Sequence, residues 1–327
     1  MQILVVGAGA IGGAMAVKLS RIGQVTILTR RSQVVDLLKE GISLTSLDGS
    51  VEECRPSVVT QLDRDEWDLV LLCVRAYDLE DTLASILPFV KEDTPIVALT
   101  NGVVVGEMTA LAGDRGVCAS VDFGVGASGD GKYYIKIDGG IKIGDTVGGT
   151  VASRVKDMIS DVIEVEVVED IVASTYSKLI INAIITYTAV VTGSTLRDII
   201  ANCREVLDEI IYEAYAVAKA SGIEPASYRK IGFRAFCRRD FIGGGFRACV
   251  WKYMTDKYGD RTSTTAERIA SGMKSEVDYI TGYVVSLGKK VGKPTPINEA
   301  ILDMVKRVER GELTPSISNL TGLKSLI

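Results

Sequence analysis

Residues 1–30 read MQILVVGAGAIGGAMAVKLSRIGQVTILTR, and the reading of this stretch decides the fold. Ile3 to Val6 is a short apolar β-run, and Gly7-Ala8-Gly9-Ala10-Ile11-Gly12 follows at once. From Ala14 to Leu19 the apolar residues return at helical spacing, and Val25 to Leu28 is a second β-run. Strand, glycine turn, helix, strand is the order of a dinucleotide-binding unit. Gly7 allows the tight turn, Gly9 lets the backbone approach a pyrophosphate, and Gly12 lets the helix pack closely on the strand. The N–H groups of the turn and helix start, from Ala8 through Ala10 and Ile11, then face the phosphates with the helix dipole behind them.

The end of the second β-run bears on which dinucleotide is bound. NAD-binding units usually place an Asp or Glu there to bond the ribose 2′-hydroxyl. This chain has Thr29-Arg30-Arg31-Ser32 instead. A carboxylate would repel a 2′-phosphate, whereas a guanidinium grips it with paired charged hydrogen bonds. Arg30 and Arg31 therefore point to NADP(H), with plain surface charge as the alternative for either one.

The chain has 327 residues, enough for two domains, and is 47% hydrophobic and 24% charged, as in an ordinary soluble protein. A net charge of −5 without a basic cluster argues against a nucleic-acid partner. Cysteines at 54, 73, 118, 203, 237 and 249 include no C-x-x-C pair, so buried free thiols in a reducing cytoplasm are expected and no metal site is. The apolar start reads as fold and not as a signal peptide. The longest apolar stretch, Leu179 to Val191, is interrupted by Asn182, Thr186 and Thr188 and is too short to span a bilayer. The chain holds no histidine, which excludes every histidine acid, histidine triad and zinc–histidine scheme. Any proton donor must be Lys, Tyr, Cys or a carboxylic acid.

Further along, Ile42 to Thr45 and Pro56 to Thr60 read as short strands. Asp68 to Val74 and Pro95 to Thr100 read as buried parallel strands. The loops at their carboxyl ends carry Arg75 and Asn101, in the place where open α/β sheets bind ligands, although each also suits a turn. Helix Leu79 to Phe89 lies between them. Val117 to Val125, Tyr133 to Ile137 and Ile141 to Ile143 are expected to form an antiparallel outer part of the same sheet. Helix Val151 to Ile163 and strand Val165 to Val168 close the first domain, 1–168. From Glu169 to the end the pattern is helical, with spans at Asp170–Val191, Glu205–Ser221, Ala226–Arg239, Phe246–Tyr258, Ala266–Leu287 and Asn298–Arg310, and a tail that is loop with a short turn. The fold class is thus α/β, a Rossmann-type dinucleotide-binding domain followed by an all-helical domain, 169–327, whose apolar helices make a homodimer plausible.

In the helix from Asp170, Lys178, Asn182 and Thr186 recur every four residues, along one stripe of an otherwise apolar rod. An inward lysine is costly to bury charged, and burial moves its pKa toward the range of a useful acid. The alternative is a lysine snorkelling to solvent. Thr262-Ser263-Thr264-Thr265 is a hydroxyl cluster suited to an N-cap and a polar pocket rim. Glu276 follows in the same expected helix, on roughly the face of Thr265, with surface charge as the alternative for it and for Asp278. Tyr253 and Lys257 match a Y-x-x-x-K pair, a short pattern that arises easily by chance.

Together the glycine turn, the V-R-A-Y-D and T-N-G loops, K-L-I-I-N, and T-S-T-T followed by S-E-V-D-Y-I-T-G make the chain resemble the ketopantoate reductases (2-dehydropantoate 2-reductases) over nearly its whole length. The resemblance implies an NADPH-dependent enzyme of pantothenate synthesis. Lys178 would be its general acid and Glu276 would hold the substrate's reacting oxygen, while Asn182 and Thr264 would bind substrate. Departures fall at Arg75, at Asn101-Gly102-Val103-Val104, at Thr186 and at Arg268, and residues 226–259 look longer and more basic than in the family. Either Arg268 or a backbone group holds the substrate carboxylate. The rivals are another branched 2-keto acid on the same fold and a regulator that binds NADP without turnover.

Overall fold

The computed structural model describes residues 1–30, 32–228, 231–237, 241–260 and 262–327. Arg31 lies outside the described residues, as do parts of the segment 226–259. The chain divides into two compact units, Met1–Ile171 and Val172–Ile327.

Among its described residues the first unit carries twelve strands: β1 (Gln2–Val6), β2 (Gln24–Leu28), β3 (Ile42–Thr45), β4 (Val51–Cys54), β5 (Ser57–Val59), β6 (Leu69–Leu72), β7 (Ile96–Ala98), β8 (Gly116–Val121), β9 (Gly124–Ala127), β10 (Lys132–Ile137), β11 (Ile141–Asp145) and β12 (Val165–Val167). Its helices are α1 (Ala10–Leu19), α2 (Val35–Glu40), α3 (Leu79–Ile86), α4 (Val105–Ala112) and α5 (Val151–Ile159). Eight strands form the main sheet in the order β12-β11-β8-β7-β6-β1-β2-β5. All its pairs are parallel except that of β8 with β11. Ile3 to Val6 and Leu69 to Leu72 are buried throughout, as central parallel strands require. The strand order reverses at β1, which has β2 on one side and β6 on the other, so the crevice at its carboxyl end is the ligand position of an open α/β sheet.

β9 and β10 do not extend that sheet as expected. With β3 and β4 they make a second sheet, in the order β4-β3-β10-β9. Burial along β10 explains the difference, since Lys132 and Tyr134 are exposed whereas Tyr133 is buried. Such a strand has one wet face and suits a sheet packed on one side only. Its dry face lies on α1, which also packs against β1 and β2. Held between two sheets, α1 buries Gly12, Gly13, Ala14, Met15, Ala16, Val17 and Leu19, so it is apolar all round and not striped. Small residues follow from the close approach, because a Cβ on Gly13 would fall 1.9 Å from the Tyr133 ring. The helix expected to reach Ile163 stops at Ile159.

The second unit is helical: α6 (Ile171–Asn182), a π turn (Ala183–Tyr187), α7 (Thr188–Thr192), α8 (Leu196–Ala220), α9 (Arg234–Cys237), α10 (Phe241–Tyr258), α11 (Thr264–Ala270), α12 (Thr281–Val291), α13 (Pro296–Glu309) and α14 (Ile317–Thr321). α6 begins at the last residue of the first unit. Among the described residues of this unit the only β pairing is an isolated bridge between Tyr228 and Ile231. That bridge stands where a helix from Ala226 was expected, and among the described residues there only α9 is helical. α10 begins ahead of the expected Phe246 and runs through Gly243, Gly244 and Gly245. The Ala266 to Leu287 helix is broken. Gly272 turns left-handed at φ 78°, and the Met273 and Ser271 N–H groups bond back to Arg268 O, which ends α11. Among the described residues no single helix is long and apolar enough to cross a membrane.

α8 and α13 are tied by a buried carboxylate. Glu213 accepts hydrogen bonds from the N–H groups of Ile297 and Asn298, each at 2.9 Å, and from Asn298 Nδ2 at 2.7 Å. It thus caps the first turn of α13 from a neighbouring helix. Burial raises its pKa above the usual carboxylate range against the pull of those donors. A raised folded pKa contributes stability in acid that is lost as pH climbs through it. Glu213→Gln is expected to cost about 1–2 kcal/mol, since an amide must turn its own donor toward at least one N–H that the carboxylate accepts. It should also remove this pH dependence. Urea melts at several pH values check both.

Candidate active site

The glycine turn can be tested residue by residue. Gly7 has φ 107°, and a Cβ there would meet the Cys73 carbonyl oxygen at 2.6 Å. At Gly12 a Cβ would fall 1.9 Å from Gly7 O. Both glycines are therefore required by the protein itself. Gly9 differs, with φ −80° and ψ −176° and nothing within 4 Å of its Cβ position. What its missing side chain leaves room for lies outside the chain. Gly9 caps α1 without a side-chain hydrogen bond, so the helix start offers main-chain donors to an anion. A tight turn, a helix start and an open glycine together fit a pyrophosphate. Behind the turn the Cys73 thiol is pushed up to about 12 by burial and stays a neutral wall.

Arg30 follows β2, and its Nη2 lies 3.2 Å from Thr82 Oγ1 and 3.3 Å from Asp78 Oδ1. Asp78 and Thr82 were not singled out in the sequence. Asp78 is part of V-R-A-Y-D, but nothing local marks a pairing with a residue so far back in the chain. Arg75 and Asn101 are half-buried in the loops after β6 and β7, neighbouring parallel strands on the far side of β1 from β2. Gly102 turns with φ 90° directly after Asn101.

In the second unit Lys178, Asn182 and Thr186 are all half-buried, while the residues between them on α6 and the π turn are largely buried. The π turn refines their stripe. Four residues of α-helix overshoot a full turn, and four residues of the wider π turn fall short of one. Thr186 therefore swings back toward the line of Lys178. α11 packs on the π turn. Ser263 caps α11, its hydroxyl accepting from the Ala266 N–H at 3.4 Å, and Thr264 is exposed on the first turn. Arg268 is one turn further along, half-buried, with Nη2 3.8 Å from Met273 Sδ.

Glu276 does not share a helix with Thr265, because the chain turns at Gly272 between them. It stands before a 3₁₀ turn, Val277–Tyr279, that packs on α12 and α13. Its side chain is buried at 6% exposure, whereas Asp278 is exposed and pairs with Lys306 at 2.6 Å. The two acids read alike in sequence are thus different in kind. Tyr253 and Lys257 do bond, at 3.3 Å, on an exposed stretch of α10 away from any strand. Of the cysteines expected to be buried, Cys249 is exposed, and Cys118 and Cys203 are buried free thiols.

Comparison with known proteins agrees with this fold. The family model for ketopantoate reductase PanE/ApbA matches residues 3–148, and the model for its C-terminal part matches residues 170–309. The 2-dehydropantoate 2-reductase of Mesorhizobium japonicum is 27% identical over 95% of this chain and 99% of its own length. Among solved structures, a PanE/ApbA family ketopantoate reductase from Ralstonia eutropha JMP134 superposes with a TM-score of 0.81 at 21% identity, covering 95% of this chain and 99% of that one. A D-mandelate dehydrogenase held with NADH and anilino(oxo)acetate superposes equally well, with a TM-score of 0.81 at 20% identity and the same coverage. The chain belongs to the ketopantoate reductase PanE/ApbA family and is an oxidoreductase that uses a nicotinamide dinucleotide.

Proposed function

We propose that this chain reduces 2-dehydropantoate (ketopantoate) to pantoate with NADPH, in pantothenate and coenzyme A synthesis, as a cytoplasmic homodimer. The observation that carries the chemistry is the half-buried stripe of Lys178, Asn182 and Thr186 in a chain that has no histidine. When bound, the reduced nicotinamide supplies the hydride for the ketone carbon. Lys178 gives a proton to the carbonyl oxygen as charge develops on it. Glu276, being buried, steadies that ammonium, positions the oxygen and accepts the hydrogen bond of the new hydroxyl. Asn182, Thr186, Ser263 and Thr264 orient the rest of the substrate. On the cofactor side, the turn from Gly7 through Ala8, Gly9, Ala10 and Ile11 to Gly12 holds the pyrophosphate and Arg30 the 2′-phosphate, with Arg31 beside it in sequence. Arg75 and Asn101 serve the nicotinamide end.

A second reading keeps the reaction and changes the acid to another branched 2-keto acid. It is favoured by Arg268, a half-buried cation one helical turn from Thr264. NADPH oxidation measured across a panel of 2-keto acids separates the two by their kcat/KM values. Equal efficiency with NADH would sink the NADPH reading. Glu276→Gln is expected to depress kcat by about tenfold or more while the Kd of NADPH stays nearly unchanged. Loss of NADPH binding in that variant would show a structural role instead.

A further inference from the structure

The Arg30 contacts reach across the fold. Arg30 leaves β2, while Asp78 and Thr82 belong to the segment that leaves β6, and β1 lies between those strands. The guanidinium thus spans the carboxyl end of β1, where the Gly7 turn begins. Its side chain is 68% exposed, whereas Thr82 is 7% exposed and fixed within α3. Both contacts use one nitrogen, Nη2. Among the described residues no bond claims the Nε or Nη1 donors.

We infer that Asp78 and Thr82 are positioning residues that hold Arg30 ready for the 2′-phosphate of NADP(H), an inference that rests on the cofactor reading above. An exposed arginine left alone samples many rotamers, and ordering it on binding lowers affinity. Two acceptors on one nitrogen settle the plane of the fork and leave the Nε and Nη1 donors, held in a fixed orientation, for phosphate oxygens. Thr82 does this without charge. Asp78 also lowers the local positive potential, so its electrostatic effect opposes its effect on geometry. Testing the two residues separately distinguishes these effects.

The test uses the full chain and two probes, 2′,5′-ADP and 5′-AMP, titrated calorimetrically. Thr82→Val and Asp78→Asn are each expected to weaken 2′,5′-ADP by about fivefold and to leave 5′-AMP unchanged, the size of one lost hydrogen bond. In an Arg30→Ala background neither variant should have a further effect, because the residue they position is gone. Equal weakening of both probes would mean a structural role and overturn the inference. Unchanged 2′,5′-ADP binding, or tighter binding in Asp78→Asn, would overturn it as well. If the unaltered chain bound both probes equally, the NADPH reading itself would fall. A chain that prefers 2′,5′-ADP but is indifferent to both variants sinks only the positioning role.

Discussion

Replacing Lys178 by alanine is expected to lower kcat by about a hundredfold or more, the usual cost of losing a positioned acid. The chain offers no histidine to take over, and the lysine sits half-buried among the apolar residues of α6. The Kd for NADPH should hardly change, because the residues proposed to hold the cofactor belong to the first unit. In the unaltered enzyme the alkaline limb of the kcat profile reports deprotonation of the acid, so that limb should vanish in the variant. Near-normal turnover with the same profile would mean that the proton comes from elsewhere.

The glycine turn supports a second prediction of comparable size. Gly12→Ala is expected to destabilise the fold by about 3 kcal/mol, because its Cβ meets a backbone oxygen at 1.9 Å and the turn has to move. Gly9→Ala should do the opposite. Its backbone is in an ordinary extended conformation with open space around it, so the melting temperature holds or rises slightly. Dinucleotide affinity should nevertheless fall by about tenfold or more, since a methyl group occupies the approach of the pyrophosphate to the main chain. Thermal melts and dinucleotide titration of both variants check this contrast. Unaltered affinity in Gly9→Ala would mean that the pyrophosphate does not pass there.

The strand, glycine turn and helix were legible in sequence because local spacing and backbone need coincide over one short stretch. The second sheet was not, since β3 and β10 meet through pairing of Ser43 to Thr45 with Lys132 to Tyr134, far apart in the chain. The break after α11 had a signal in Ser271-Gly272, masked by apolar periodicity on both sides. Nothing distinguished Glu276 from Asp278 before packing did, and the partners of Arg30 come from a different crossover of the same sheet. Periodicity also hid the π turn, because a single extra residue barely disturbs a helical apolar pattern.

That turn has a consequence for descent. A π turn is an α-helix with one residue more than its ladder needs, so it distinguishes a chain by residue count and not by residue type. Deleting one residue between Ala183 and Ile185 would let the ladder close as ordinary α-helix. Lys178 and Asn182, upstream, would keep their places, and everything from Thr186 onward would keep nearly the same face under a number one lower. A relative lacking that residue therefore sets its own count one short beyond Asn182. Aligned letter by letter, it would place the wrong side chain opposite Thr186, and a difference in helix length would pass for a difference in substrate.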